Sequence, residues 1–165
     1  MAISAVSNTG PIIHLSEISL LNAFHIFSAM SIPEAVAKEC NKNKIEVPKK
    51  IKILNLRSEW KDRVNVLMGQ HNLDLGESEA IALALQEKSD YFLTDDLDAR
   101  SVALNYSLKV HGTIGIILRA FREKIIDKKT AINKINELYT NSSLFITINL
   151  IKQVINSIED FSNKY

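Results

Sequence analysis

The sequence predicts an α/β domain in which a central parallel sheet carries helices on both faces. Short apolar runs of strand length alternate along the chain with longer segments whose apolar residues recur at helical spacing. No internal repeat, low-complexity tract or domain linker interrupts this alternation over the 165 residues, a length that suits one domain. Strands that alternate with helices pair in parallel, because each helix returns the chain to the same end of the sheet.

The first strand is predicted over Ile3–Val6, because this apolar run ends in the turn and helix-cap signal Ser7–Pro11. Apolar residues then recur at helical spacing as far as Phe27, which predicts a helix. Ala29–Ile32 is the second predicted strand. A helix over Pro33–Cys40 follows directly, since proline is favoured as the first residue of a helix.

The middle of the chain continues the alternation. Ile51–Leu56 predicts a third strand or extended segment, and Glu59–Gln70 a helix with apolar residues on one side. Gly76 is interpreted as a break in the chain. The segment Glu77–Lys88, rich in Ala and Leu, predicts a helix. Tyr91–Thr94 predicts the fourth strand.

The last third of the chain is mostly helical. Asp96–Tyr106 predicts a helix, Leu108–Val110 a short strand, and Ile114–Arg122 another helix. Two further helices are predicted within about residues 127–162. We interpret them as a cap or dimerisation arm of the same single domain, which spans residues 1–165.

The composition is that of a soluble globular protein. Of the residues, 46% are hydrophobic and 24% charged. No segment approaches the ~18 consecutive apolar residues of a membrane helix, and Met1–Pro11 carries no Lys or Arg, unlike a secretory signal. The single cysteine, Cys40, excludes an intrachain disulfide, which fits a reducing compartment. We therefore expect a cytoplasmic protein without a membrane partner.

The net charge of +1 lacks the basic excess of a strong nucleic-acid binder. Any contact with RNA must therefore come from a local patch, and the alternative is that basic runs are solvated faces. Two basic clusters are candidates: Lys42, Lys44, Lys49, Lys50 and Lys52, and Arg119, Arg122, Lys124, Lys128 and Lys129.

Polar residues follow the predicted strands at the end where α/β proteins bind their ligands. Asn8 follows the first strand, Glu39 lies in the helix after the second, and Asp95 and Asp96 follow the fourth. Glu77 opens the helix before that fourth strand. Adjacent carboxylates repel each other unless a cation lies between them. Mg²⁺ or Mn²⁺ would remove the conflict, activate water and stabilise a phosphate under attack.

A structural interpretation of the same acids stays open. Asp95 or Asp96 could cap the following helix, and Glu77 could complement a helix dipole. Other catalytic signatures are absent from the sequence, which has no P-loop, no dinucleotide glycine fingerprint and no Gly-x-Ser-x-Gly elbow. A phosphoryl-receiver or phosphatase reading is weakest, because Lys109 lies within a predicted strand and not at its end.

Five motifs, in the expected order, resemble those of PIN-domain ribonucleases. They are Val6–Ile13, Ile32–Glu39, Gly76–Ala84, Leu93–Asp96 with Arg100, and Val110–Leu118. The last motif resembles a stretch typical of the VapC-like prokaryotic toxin branch. The resemblance implies a three-layer α/β/α fold that cuts RNA with Mg²⁺ or Mn²⁺. It also implies a toxin of a toxin–antitoxin pair, a homodimer, and a small antitoxin protein as partner.

The resemblance also implies roles for individual residues. Glu39, Glu77 and Asp96 match the acidic catalytic site, and the neighbouring Asp95 is expected to share it. Thr94 matches a small polar residue that orients the cluster. The resemblance further implies that Thr94 and Arg100 contact the substrate. The metal ligands that it implies are Asn8, Glu77, Asp95 and Asp96.

Asn8 departs from the family pattern, which commonly has Asp at the end of the first strand. An amide oxygen can ligate a hard cation but adds no negative charge, so we expect weaker metal binding. Together with the nearly neutral net charge, Asn8 motivates an alternative function. In that alternative the protein is a non-catalytic PIN-like module that binds RNA or protein.

Overall fold

A computed structural model describes residues 2–165. Within that range, five strands form one sheet in which every pairing is parallel, as predicted. The strand order is β3-β2-β1-β4-β5. The strands are β1 (Ser4–Ser7), β2 (Ala29–Pro33), β3 (Ile51–Leu54), β4 (Tyr91–Leu93) and β5 (Lys109–His111).

Helices flank this sheet, which confirms the predicted three-layer α/β/α fold class. A short 3-10 helix covers Leu21–Ile26. The α-helices are α1 (Thr9–Glu17), α2 (Glu34–Lys42), α3 (Ser58–His71), α4 (Leu75–Gln86), α5 (Leu97–Asn105), α6 (Thr113–Arg122), α7 (Lys128–Asn141) and α8 (Ile148–Lys164). No helix among residues 2–165 combines the length and apolar character needed to cross a membrane.

The described chain divides into two compact units. The first comprises residues 2–13 and 27–112 and contains the whole sheet with α2 to α5. Its inner strands β1, β2 and β4 are mostly buried, because parallel sheets are covered on both sides, whereas the edge strands β3 and β5 are more exposed. Val6, Ile32, Phe92 and Leu93, for example, are fully buried.

The second unit comprises residues 14–26 and 113–165, which hold the 3-10 helix and α6 to α8. The apolar faces of these helices pack together and bury Ile116, Ile135 and Ile158 completely. The Lys134 ammonium donates a hydrogen bond of 2.7 Å to the Ile18 carbonyl and so ties α7 to the turn after α1. The assignment of residues 127–162 to a cap or dimerisation arm of one domain stays a prediction.

The strand order places a topological switch point between β1 and β4. From β1 the chain continues to β2 and β3 on one side, whereas β4 and β5 lie on the other. Ser7 pairs with Leu93, so both strands end at the same level. A crevice for ligands forms where the connections diverge in this way.

The prediction of a helix as far as Phe27 is wrong. Helix α1 ends at Glu17, where Ser19 takes a left-handed backbone with φ of 54°. The Leu20 amide then bonds the Leu15 carbonyl at 2.8 Å, which satisfies a carbonyl that the helix leaves unpaired. The apolar periodicity continues because the following 3-10 helix also buries one face.

Two smaller predictions about helix starts are also wrong. Pro33 ends β2 and is the N-cap of α2, with extended angles of φ −77° and ψ 168°, so that helix begins one residue later. Gly76 is no break, because it lies buried in the first turn of α4. The reversal before α4 is made by Asn72, with φ of 53°, and by the N-cap Asp74.

Candidate active site

Asn8 bridges the two strands at the switch point. Its backbone amide bonds the Leu93 carbonyl at 2.8 Å, and its side-chain amide donates to the Thr94 hydroxyl at 3.2 Å. Its side-chain oxygen accepts from the Thr9 amide at 2.7 Å, at the first residue of α1. The side chain is buried, and both ends of its amide have partners within the protein.

Thr94 connects this bridge to the acidic segment after β4. Its fully buried hydroxyl oxygen accepts hydrogen bonds from Asn8 and, at 3.1 Å, from the Asp96 backbone amide. The two bonds hold the start of α5 against the end of β1. Thr94 therefore sets the position of Asp96.

Asp96 is the N-cap of α5. One of its carboxylate oxygens accepts from the Ala99 amide at 2.7 Å. The capping interpretation is thus confirmed for this residue. A carboxylate has about four acceptor sites on two oxygens, so capping leaves most of them for another ligand.

Glu77 also has a structural bond. It forms a reciprocal capping box with Asp74, in which the Glu77 carboxylate accepts from the Asp74 amide at 2.9 Å and the Asp74 carboxylate accepts from the Glu77 amide at 2.7 Å. Glu77 thus has a structural role at the start of its own helix, as part of a capping box, where the sequence suggested a complement to the helix dipole. As for Asp96, this bond does not exhaust the acceptor capacity of the carboxylate.

Glu39 extends from α2 toward the first turn of α4. Its carboxylate accepts a hydrogen bond from the Thr9 hydroxyl. A Cβ placed on Gly76 would lie 2.4 Å from a Glu39 carboxylate oxygen and 3.0 Å from its carboxyl carbon. A side chain at position 76 would therefore displace the flexible end of Glu39 from the space that its carboxylate fills.

Electrostatics join three of these acids into one group. Burial raises the pKa of Glu77, the hydrogen bond from the Asp74 amide lowers it, and the charges of Asp74, Asp96 and Glu39 raise it further, for a net increase. The charges of Glu39 and Asp96 can act on Glu77 in this way only if each of them lies near Glu77. We call Glu39, Glu77 and Asp96 the acidic cluster.

Cys40, next to this cluster, is not a reactive group. Burial, followed by the negative charge of Glu39, raises the pKa of the Cys40 thiol to about 11. The thiol is fully buried and stays protonated at neutral pH.

Asp95 and Arg100 lie at a different place, against the end of β5. A Cβ on Gly112 would come within 2.8 Å of an Asp95 carboxylate oxygen, 3.2 Å of the Arg100 guanidinium and 3.3 Å of the Thr94 carbonyl. The structure therefore brings Asp95 next to Arg100. The acids whose charges raise the Glu77 pKa are Asp74, Asp96 and Glu39, and Asp95 is not one of them.

The donor chemistry of the acidic cluster fits Mg²⁺ or Mn²⁺. Carboxylate oxygens are the ligands that these hard cations prefer, and the charges of Glu39 and Asp96 raise the pKa of Glu77. Among residues 2–165, no group of three or more His, Cys, Asp or Glu side chains is arranged so that it could hold a metal ion. Mg²⁺ can bind through fewer protein ligands, because it keeps several waters and is often held by one or two carboxylates.

Sequence reasoning missed four residues that shape this site, namely Thr9, Asp74, Gly76 and Gly112. Asp74 could have been found, because Asp three residues before Glu at a helix start is the pattern of a capping box. The roles of the other three depend on residues distant in sequence, and no local pattern indicates them.

We expect Glu77→Gln to increase stability at neutral pH. The folded protein binds a proton at Glu77 more tightly than the unfolded chain does, so stability falls as pH rises from about 4.5, the unfolded value, through the raised folded pKa. Gln removes this penalty and can keep the capping bond. Thermal melts in EDTA should show the variant above wild type at pH 7, with the difference vanishing toward pH 4.

The matched control is Glu59→Gln, which removes an exposed carboxylate from the first turn of α3. It should show no gain at pH 7. A Glu77→Gln variant less stable than wild type at pH 7 would contradict the electrostatic account and leave only the capping role.

Comparison with known proteins gives a family match and a structural likeness. A family model described as DUF3368: PIN domain matches residues 4–160. Among solved structures, the chain is similar to a PilT N-terminus domain protein, SSO1118, from the hyperthermophilic archaeon Sulfolobus solfataricus P2, with a TM-score of 0.55 and 16% identity over 72% of this chain and 93% of that one. At this identity the likeness concerns the fold alone. No curated protein sequence matches.

Proposed function

Since the chain belongs to the DUF3368 family of PIN domains, which are generally nucleases, we propose that it is a cytoplasmic endoribonuclease dependent on Mg²⁺ or Mn²⁺. We propose further that it acts as the toxin of a VapC-like toxin–antitoxin pair. The observation that carries the ribonuclease proposal is the acidic cluster next to the switch-point bridge of Asn8 and Thr94. The charges of Glu39 and Asp96 raise the pKa of Glu77, and a divalent cation would relieve that repulsion.

In this proposal Glu77 and Asp96 hold the cation through the carboxylate oxygens that capping leaves free. Asn8 and Asp95 are the further metal ligands expected from the family resemblance. When bound, the cation supplies an activated water and stabilises negative charge on the phosphodiester. Glu39, anchored by the Thr9 hydroxyl, orients the water that attacks phosphorus.

The remaining residues position these groups and the substrate. Thr94 holds the Asp96 backbone in place through its hydroxyl oxygen. In this proposal Arg100, which lies beside Asp95 at Gly112, provides a permanent positive charge that contacts the RNA phosphate. In this proposal the chain provides carboxylates that hold the cation. It also provides a contact to the RNA backbone that does not depend on the RNA sequence.

Cleavage of a structured RNA by the purified protein tests this function. We expect cutting with Mn²⁺ and none with EDTA, and titration calorimetry should detect Mn²⁺ binding below millimolar concentration. Calorimetry tests the metal site separately from the nuclease activity. Metal binding without cleavage would support the proposed metal site and contradict the proposed nuclease activity.

We expect Asn8→Asp to tighten Mn²⁺ binding on the order of tenfold, because an added carboxylate increases the charge of the ligand set. The new carboxylate can keep the bond from the Thr9 amide and accept from the Thr94 hydroxyl, so the fold should survive. Titration calorimetry measures the change in affinity, and circular dichroism checks the fold.

Asn105→Asp is the control for this change, since it adds a carboxylate at the opposite end of α5. It should leave the Mn²⁺ affinity at the wild-type value. If Asn8→Asp also left the affinity unchanged, residue 8 would not be a metal ligand.

A non-catalytic PIN-like module is the second candidate function. The Asn8 amide has partners at both ends, so it is already used in joining β1, β4 and α1. A protein of this kind would bind RNA or a protein partner without cutting. Absence of heat in a titration with millimolar Mn²⁺, from folded protein, would favour this function over the nuclease.

The toxin proposal implies a second copy of the chain and an antitoxin as protein partners. Large apolar side chains near the start of α8 support a partner surface, since Phe145 is 91% exposed and Ile148 and Leu150 are also exposed. Exposed apolar side chains often mark an interaction site where they form a patch.

A further inference from the structure

A second concave site lies in the second unit, between the ends of α6 and α8. It is a cavity of about 400 Å³. Three aromatic rings, two cations and one hydroxyl line it, from Phe121, Arg122, Lys124, Phe161, Ser162 and Tyr165. We call this the aromatic–basic cavity. None of its residues belongs to the acidic cluster.

The three rings contact one another in series, and the last of them, the ring of Tyr165, is exposed to solvent. Phe121 meets Phe161 edge to face at 5.5 Å, and Phe161 meets Tyr165 at 5.0 Å between ring centroids. The Arg122 guanidinium lies 5.7 Å from the centre of the Phe161 ring. Tyr165 is 93% exposed, so its ring is open to a planar partner.

The side chains that line this cavity carry a net positive charge. The sequence cluster that includes Arg122 and Lys124 also contains Arg119 and Lys128, but those two are engaged in ion pairs with Glu123 and Glu159. These pairs occupy the carboxylates of Glu123 and Glu159. Arg122 and Lys124 are the cations of the cluster that line the cavity, and its lining includes no acid.

We propose that the aromatic–basic cavity binds an unpaired nucleotide of RNA. The base stacks on the Tyr165 and Phe161 rings, and Arg122 and Lys124 neutralise the adjacent phosphates. Stacking on aromatic rings combined with neighbouring cations is how proteins hold single-stranded nucleic acid without reading its sequence. A protein with a net charge of only +1 needs a local patch of this kind.

This inference extends the proposed ribonuclease function, because it names single-stranded segments as the part of the substrate that the protein grips. It rests on that function for the identity of the ligand, whereas the cavity and its charges are independent of the acidic cluster. The two proposals can therefore fail separately.

The test is fluorescence anisotropy of a short fluorescein-labelled oligo(A) RNA, in EDTA so that no metal-dependent cleavage occurs. We expect Tyr165→Ala to weaken binding at least about fivefold, and Tyr165→Phe to keep it, because the ring and not the hydroxyl stacks. Tyr139→Ala, which removes an exposed tyrosine from α7, is the matched control and should bind like wild type.

Salt dependence tests the cations. We expect Arg122→Gln to weaken binding and to lower the slope of log affinity against log salt by about one charge. Arg63→Gln is the control, because Arg63 also lies over a ring, that of Tyr106 at 5.9 Å, but in the first unit. Its salt slope should stay at the wild-type value.

Three outcomes would overturn the inference. An abasic oligomer of the same length that binds as tightly as oligo(A) would show that bases are not held. Wild-type affinity in folded Tyr165→Ala would exclude the ring, even if RNA cleavage were confirmed. A change of sedimentation mass in Tyr165→Ala without a change in RNA binding would assign the cavity to a second copy of the chain.

Discussion

Asp96→Asn is expected to reduce metal-dependent RNA cleavage by about a hundredfold or more, because it removes a negative charge from the acidic cluster at the place where the cation is proposed to bind. The fold should survive the change. Asn is as good an N-cap as Asp, so its side-chain oxygen can keep the bond to the Ala99 amide at the start of α5. Rates of RNA cleavage with Mn²⁺ measure the effect, and thermal melts confirm folding.

Asp98→Asn is the matched control for this variant. It removes an exposed carboxylate from the same first turn of α5 but leaves the cap untouched. We expect cleavage within about twofold of wild type, as for an exposed surface change. Full activity in Asp96→Asn would remove this residue from the proposed mechanism, and unfolding of the variant would show that its charge is structural.

We expect Gly76→Ala to reduce the rate of RNA cleavage and to leave the free energy of unfolding nearly unchanged. The new Cβ would lie 2.4 Å from the Glu39 carboxylate oxygen, so the Glu39 side chain must rotate away and lose its bond to Thr9. Misplacing a group by about 1 Å can cost up to a hundredfold in rate, and we expect a loss of about tenfold to a hundredfold. Because only the flexible end of a side chain moves, the higher helix propensity of alanine can offset the strain, which leaves stability within about 1 kcal/mol of wild type.

Gly69→Ala provides the comparison within the same protein. Gly69 lies in α3 and no atom lies within 4 Å of a Cβ placed there. We expect a gain of about 1 kcal/mol in the free energy of unfolding and unchanged cleavage. If Gly76→Ala behaved like Gly69→Ala in both assays, the contact with Glu39 would have no role in catalysis.

Much of the fold follows from local pattern in the sequence. Buried strands such as β1 and β4 are recognisable because residues covered on both faces of a sheet must all be apolar. Their alternation with helices then requires parallel pairing. The predicted helix through Phe27 failed because apolar spacing cannot distinguish one continuous helix from a helix, a left-handed turn at Ser19 and a 3-10 helix.

The candidate site was predictable in part. Residues at the carboxyl ends of parallel strands share one edge of the sheet, so Asn8 and Asp96 could be placed near each other from their positions alone. The sequence did not indicate that the side chains of Asp95 and Asp96 have different surroundings. In extended chain, successive side chains point in opposite directions, so Asp95 reaches Gly112 while the charge of Asp96 acts on Glu77.

The sequence by itself therefore determined the strands, the parallel sheet and which acids stand at strand ends, because apolar periodicity and chain direction are local properties. Tertiary structure alone decided which of those acids act together. The approach of Glu39 to Gly76 depends on how α2 packs against α4, and its bond to Thr9 joins residues 30 positions apart. Such contacts are set by the packing of whole elements, and no spacing within one segment of the chain encodes them.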